Sequence, residues 1–132
     1  MKKVFLSGPI RGISREDSLG WRNEAIEFLK DRFDVVHALR NREEKETLPD
    51  SRLAIIRDKT DIDTSDILLV NDCFPNSSMI GTSMEIIYAY ERNKIIIAFG
   101  DAHDKDYWFN YHIHSRVNNL NQACDLLKRF FE

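Results

Sequence analysis

Gly81-Thr82-Ser83-Met84-Glu85 is the stretch of this sequence best suited to chemistry, because small and hydroxylated residues lead straight into a carboxylate. The segment before it, Asn71 to Ser83, is rich in Pro, Ser, Asn and Gly and follows an apolar run, so it reads as a loop opening into a helix from about Met84 to Arg92. Glu85 is then expected in the first helical turn, where free N–H groups and the positive end of the helix dipole keep a carboxylate ionised in a partly dry cleft. An ionised, fixed carboxylate is what a glycosidic nucleophile has to be. Spacing alone gives equal weight to a first-turn acid that only complements the dipole.

A second carboxylate, Asp58, belongs to an acid-rich helix end with Asp61, Asp63 and Asp66; most such acids are solvated surface charges. Ser7-Gly8-Pro9-Ile10-Arg11-Gly12 places two glycines and a guanidinium in one loop, suited to holding a sugar hydroxyl or a phosphate. The G-x-G-x-x-G spacing of a dinucleotide site and a G-K-[ST] phosphate loop are both missing. His112 and His114 share a face if their segment is extended, but no third ligand is placed by sequence, and neither a metal nor a cofactor is expected. Trp108, Phe109 and Tyr111 read as packing or subunit-contact residues rather than a base-stacking cage.

The elements needed to position these groups follow from apolar patterning. Val4 to Leu6 is a buried strand stopping at Ser7-Gly8-Pro9. Ser14 caps a helix, with Asp17 three residues on and Trp21, Ala25, Phe28 and Leu29 on one face. Phe33 to Ala38 is a second strand, followed by a polar loop from Leu39 to Ser51 that contains Pro49. Leu53, Ile55, Ile56, Thr60 and Ile62 fit a helix. Ile67 to Val70 is apolar throughout, as a central parallel strand covered on both faces must be. Ile95 to Phe99 is the next strand and Ile113 to Val117 a short last one, before a closing helix marked by Leu120, Ala123, Leu127, Phe130 and Phe131. Such alternation predicts right-handed crossovers, a parallel sheet and a ligand crevice at the carboxyl ends of the strands, where the loops 7–13, 39–51 and 71–83 meet.

At 132 residues the chain fits one domain over 1–132, with room for a single site. A formal charge of -3 gives no basic field for a nucleic acid polymer. No apolar run approaches the roughly 20 residues of a membrane helix, and no small-residue cleavage site follows Met1-Lys2-Lys3, so no membrane partner and a cytoplasmic location are expected. Cys73 and Cys124 read as isolated thiols.

Three features, in order, resemble the nucleoside 2-deoxyribosyltransferase family and its nucleotide N-hydrolase relatives. They are Val4-Phe5-Leu6-Ser7-Gly8-Pro9; Asp58 eight residues before Asp66-Ile67-Leu68-Leu69-Val70; and Gly81-Thr82-Ser83-Met84-Glu85-Ile86 followed by Tyr88-Ala89 and Lys94-Ile95-Ile96. The stretch from Trp108 to His112 also looks like a tail segment of the small members. The resemblance implies a flavodoxin- or Rossmann-like three-layer α/β sandwich with a parallel sheet of about five strands. It implies that Glu85 attacks C1' of a deoxyribose to give a covalent intermediate while Asp58 assists the departing base. Ser7, Gly8, Pro9, Ile10, Arg11, Ser78, Met79, Gly81, Thr82 and Met84 would contact a small deoxynucleoside or deoxynucleotide. It further implies a homo-oligomer whose neighbouring subunit completes each pocket.

Transferases of the family carry an acid six residues before the nucleophile, and the monophosphate hydrolases a serine; this sequence has Met79 there, beside Ser77 and Ser78. Arg11 argues for a 5'-phosphate. Asp72 argues against one if it faces the pocket. Transfer of the sugar to a second base therefore comes first, with hydrolysis of a 2'-deoxynucleoside 5'-monophosphate as the alternative, and a non-enzymatic nucleotide-sensing module third.

Overall fold

The computed structural model describes residues 1–40 and 51–132, so most of the polar loop expected over 39–51, Pro49 included, lies outside the described residues. Five strands, β1 (Lys2–Ser7), β2 (Phe33–His37), β3 (Ile67–Asn71), β4 (Ile95–Phe99) and β5 (Ser115–Val117), alternate with helices α1 (Arg15–Leu29), α2 (Ser51–Asp63), α3 (Ile80–Glu91), α4 (Tyr107–Tyr111) and α5 (Leu120–Phe131). They form one parallel sheet of order β2-β1-β3-β4-β5. The expected parallel α/β sandwich is therefore observed, with the run from Ile67 at the centre of the sheet.

Strand periodicity divides the core into two layers. Val4 and Leu6 of β1, Ile67 and Leu69 of β3, and Ile97 and Phe99 of β4 pack with Trp21, Ala25 and Leu29 of α1 and Leu120, Ala123 and Leu127 of α5. The alternate residues Phe5, Leu68, Val70, Ile96 and Ala98 pack on the other face with Ile62 of α2 and Ile86 and Ala89 of α3. Because β3 is buried on both faces, its sequence has no polar alternation.

Helix ends follow local chemistry. The Ser14 side chain accepts a hydrogen bond from the Asp17 backbone N–H at 3.0 Å, the expected cap of α1. Asn119 caps α5 and Asp106 caps α4 in the same way. Two boundaries differ from expectation. The last strand is confined to Ser115–Val117, because Tyr107–Tyr111 forms a short helix and His112 its cap. The third helix starts at Ile80 rather than near Met84, four residues inside what composition marks as loop.

The strand order changes direction between β1 and β3, which lie side by side while their following helices cover opposite faces. A crevice opens at such a point beyond the carboxyl ends of the strands. Replacing the fully buried Leu69 by Ala is expected to lower unfolding free energy by about 2–5 kcal/mol, measured as a lower urea midpoint with an unchanged slope.

Candidate active site

Ser7 closes β1 and continues its alternation, so its side chain falls on the same face as Phe5, the face covered by α2 and α3. There the buried Ser7 hydroxyl donates to Glu85 Oε1 at 2.7 Å. Since α3 begins at Ile80, Glu85 is its sixth residue and stands in the second turn, and the first turn holds no acid. The expectation that the helix N-terminus keeps this carboxylate ionised is corrected accordingly: the dipole effect fades beyond the first turn. Burial instead pushes the Glu85 carboxyl up to about 7, with the nearby Asp58 adding to the rise and the Ser7 hydrogen bond and Arg22 opposing it.

Asp58, half-buried on α2, reaches the same electrostatic neighbourhood as Glu85 and Arg22. The two carboxylates singled out in the sequence are thus brought together from different helices. Arg22 belongs to α1 and is 1% exposed. It donates to the Gly8 carbonyl at 2.9 Å and to the Ser18 carbonyl and hydroxyl at 2.9 and 2.8 Å. Burial lowers the guanidinium to about 10, so it stays cationic at neutral pH while Glu85 and Asp58 favour its charge.

At the end of β2, the buried His37 accepts the Leu39 N–H on Nδ1 at 3.1 Å. Burial, then the charges of Arg22, Arg40 and Arg57, lower it to about 4, leaving a neutral ring. Arg40 pairs with the buried Asp61 through both terminal nitrogens, and Arg57 donates to the Ala38 carbonyl at 2.8 Å. Sequence reading passed over Arg22, Ser18 and His37. The first two had a signal: Ser18, Trp21, Arg22, Ala25 and Leu29 make a buried helical stripe, and an arginine inside such a stripe demands a partner.

The first loop needs small residues at two positions. A Cβ on Gly8 would lie 2.9 Å from Trp21 Cζ2 and 3.2 Å from Asn71 Cβ. Gly12 has φ +86, and a Cβ there would lie 3.2 Å from Ser77 Cα. That close approach lets Ser78 N–H donate to the Arg11 carbonyl at 3.1 Å, joining the loop after β1 to the loop after β3. Pro9 is buried, whereas Ile10, Arg11 and Ser78 are exposed at this junction. Asp72 is turned away from it: fully buried, it accepts from Arg116 at 2.8 Å and from the His103 N–H at 3.0 Å, with His103 Nδ1 at 2.6 Å.

Other sequence candidates scatter. Thr82 is buried and Gly81 exposed. Met84 is 67% exposed and lines, with Met79, Ile80, Ser83 and Ile87, a shallow apolar groove of about 430 Å³ on the outer side of α3. His112 and His114 do not share an extended face, because His112 caps α4. His112 Nδ1 lies 2.7 Å from the Trp108 carbonyl, and His114 Nδ1 accepts the Ile96 N–H at 2.9 Å. Among the described residues no three of His, Cys, Asp and Glu group as a metal site. Phe109 is in the core, while Tyr107, Trp108 and Tyr111 are exposed. Cys124 is buried and its thiol pushed up to about 12, and Cys73 is an exposed free thiol. No described helix is long and apolar enough to cross a membrane.

No family model matches the sequence, and no curated protein matches it either. Solved structures do share the fold. The 2-deoxyribosyltransferase of Bacillus psychrosaccharolyticus superposes with a TM-score of 0.73 at 18% identity, over 93% of this chain and 90% of that one. The CMP N-glycosidase of Clostridium botulinum gives 0.65 at 20% identity over 98% and 100%. A conserved protein from Enterococcus faecalis gives 0.68 at 18% identity over 98% of both chains.

Because the folded-state carboxyl of Glu85 lies above its usual value of 4.5, the folded protein binds more protons than the unfolded chain between about 4.5 and 7. Stability associated with this group is present at lower pH and is lost as pH rises to about 7. Glu85→Gln, which keeps an acceptor for Ser7, is expected to be more stable than the native chain at about pH 8 by on the order of 1–3 kcal/mol, the gap closing toward pH 5. Urea unfolding at both pH values reads it.

Proposed function

We propose that this chain cleaves the N-glycosidic bond of a nucleoside 5'-monophosphate of the deoxy series, with Glu85 as nucleophile. The observation that carries the reading is the pairing of a half-buried, hydroxyl-fixed Glu85 with a second carboxylate, Asp58, at the carboxyl edge of β1 and β3. Two of the solved structures that share the fold are named for acting at such bonds, and that supports the chemistry.

In the first step a Glu85 oxygen attacks C1' from the face opposite the base. The C1'–N bond breaks, its electron pair leaves with the base, and the base takes up a proton with the help of Asp58. The positive charge that develops at C1' is favoured beside an anionic carboxylate. Water then attacks C1', loses a proton to the site, and releases Glu85 from its ester, so configuration at C1' is retained.

Phosphate recognition is favoured by three features. Arg11 is exposed at the loop junction and hydrogen-bonded through its backbone to Ser78. Met79, the N-cap residue of α3, makes no side-chain cap hydrogen bond, which leaves the first N–H groups of the helix to an anion. Asp72, the charge that would repel a phosphate, is buried against Arg116 and His103. Transfer of the deoxyribosyl group to a second base is the other reading, supported by the fold shared with the Bacillus transferase; it uses the same intermediate, with a base in place of water. Leu53, Ile56, Ile80, Met84 and Ile87 leave an apolar face on α2 and α3 that fits a homo-oligomer.

Purified protein given deoxynucleoside monophosphates is expected to release free base, seen by chromatography, and Glu85→Ala to release none. Arg11→Ala should raise KM for monophosphates by roughly 10- to 100-fold, the loss of a charged hydrogen bond, and leave unphosphorylated nucleosides unaffected. A new nucleoside formed from deoxynucleoside plus free base would replace hydrolysis by transfer, and binding with no turnover of any substrate would leave a sensor.

A further inference from the structure

Arg22 is the one buried cation of α1, and it sits in the layer opposite Glu85. It donates hydrogen bonds to neutral oxygens: the Gly8 carbonyl, the Ser18 carbonyl and the Ser18 hydroxyl. Two carbonyls and a hydroxyl can be held by a neutral amide, so these contacts do not explain a charged group at 1% exposure. Charge buried there is stabilised by the face of the Trp21 ring, whose centroid lies 4.7 Å from the guanidinium carbon, and by the acids within electrostatic reach, Glu85 and Asp58.

The hydrogen bonds explain a second property, which is position. Arg22 holds the carbonyl of Gly8, the residue after Ser7, and Trp21 packs against the same glycine so closely that a Cβ would not fit. The Ser18 hydroxyl, held by Arg22, lies 3.4 Å from the Pro9 carbonyl. The turn that follows β1 is thereby pinned to α1 from two sides, and the Ser7 hydroxyl that meets Glu85 leaves from that turn.

Building on the reading of Glu85 as nucleophile, we infer that Arg22 is a positioning residue for this site: it fixes the Ser7–Pro9 turn on the nucleophile and its charge favours the nucleophile's anionic form. Glu85 is raised by burial and by Asp58; the Ser7 hydrogen bond opposes that rise, and Arg22 is the cation that adds to the opposition. Removing the charge therefore raises the pH at which Glu85 ionises. The loss of rate is then largest below about pH 7, and the part that remains at high pH reports geometry.

Three measurements separate these roles. Arg22→Met removes the charge and the hydrogen bonds, and should lower kcat by roughly 100-fold and move the acid limb of kcat/KM to higher pH. Arg22→Lys keeps the charge and loses the fork, so kcat should fall about tenfold with the acid limb and KM near those of the native chain. Carbon-13 labelling of the glutamate carboxyls, with Glu85→Gln to assign the resonance, gives the Glu85 titration directly and requires no turnover. If the native chain cleaves no glycosidic bond, the functional reading fails, whereas a shifted carboxyl titration in Arg22→Met still upholds the electrostatic role. A folded Arg22→Met whose Glu85 titrates as in the native chain overturns the inference. Should Arg22→Met fail to fold, Arg22→Lys decides alone: native kcat, or a change in KM only, overturns it.

Discussion

The hydrogen bond from Ser7 to Glu85 joins the end of the first strand to the second turn of the third helix, 78 residues away, and the described fold is arranged so that these two atoms meet. It requires β1 and β3 to be neighbours, because α3 is launched from the end of β3. It requires α3 to pack on the face that Ser7 shares with Phe5, which Ile86 and Ala89 accomplish one and four residues after Glu85. The helix must also begin early. Starting at Ile80, α3 spends its first turn at the crevice and turns Glu85 inward toward β1.

Electrostatics at this edge are a contest between burial and a small set of charges. Glu85 and Asp58 are drawn from the α2–α3 layer, and Arg22 from the α1 layer; groups from opposite layers meet only beyond the carboxyl ends of the strands, where the sheet no longer separates them. Arg40 is taken up by Asp61 and Arg57 by the Ala38 carbonyl, and burial, reinforced by these two charges and Arg22, keeps His37 neutral. A neutral His37 adds no further positive charge beside Arg22.

Much of this was legible in the sequence because the signals were local. An uninterrupted apolar run marked β3 as central, Ser14 with Asp17 marked the start of α1, and alternation of strands with helices dictated the parallel sheet. The pairing of Asp58 with Glu85 came from resemblance, since nothing in the local pattern distinguishes Asp58 from Asp61, Asp63 or Asp66. The start of α3 was misplaced because Ile80, Gly81, Thr82 and Ser83 have ordinary or poor helix propensity, and packing of Thr82 and Ile86 overrides it. His37 carried no signal at all: its neutral state depends on burial and on three arginines, of which only Arg40 is near it in sequence.

Asp72 shows why residue type is a weak guide to the sign of a pocket. In the sequence it lies in the loop expected to bind the ligand, and a free carboxylate there would oppose any phosphate. In the fold its N–H donates to the Phe99 carbonyl and its carbonyl accepts from Ala102, so the residue continues the pairing of β3 with the far side of the sheet. Its carboxylate is thereby delivered to Arg116 of β5 and to His103, away from the switch point between β1 and β3. The direction of one strand end thus decides where this charge goes: the Asp72 carboxylate pairs with Arg116 and His103 at the opposite edge, while the Arg11 backbone joins the loops that follow β1 and β3.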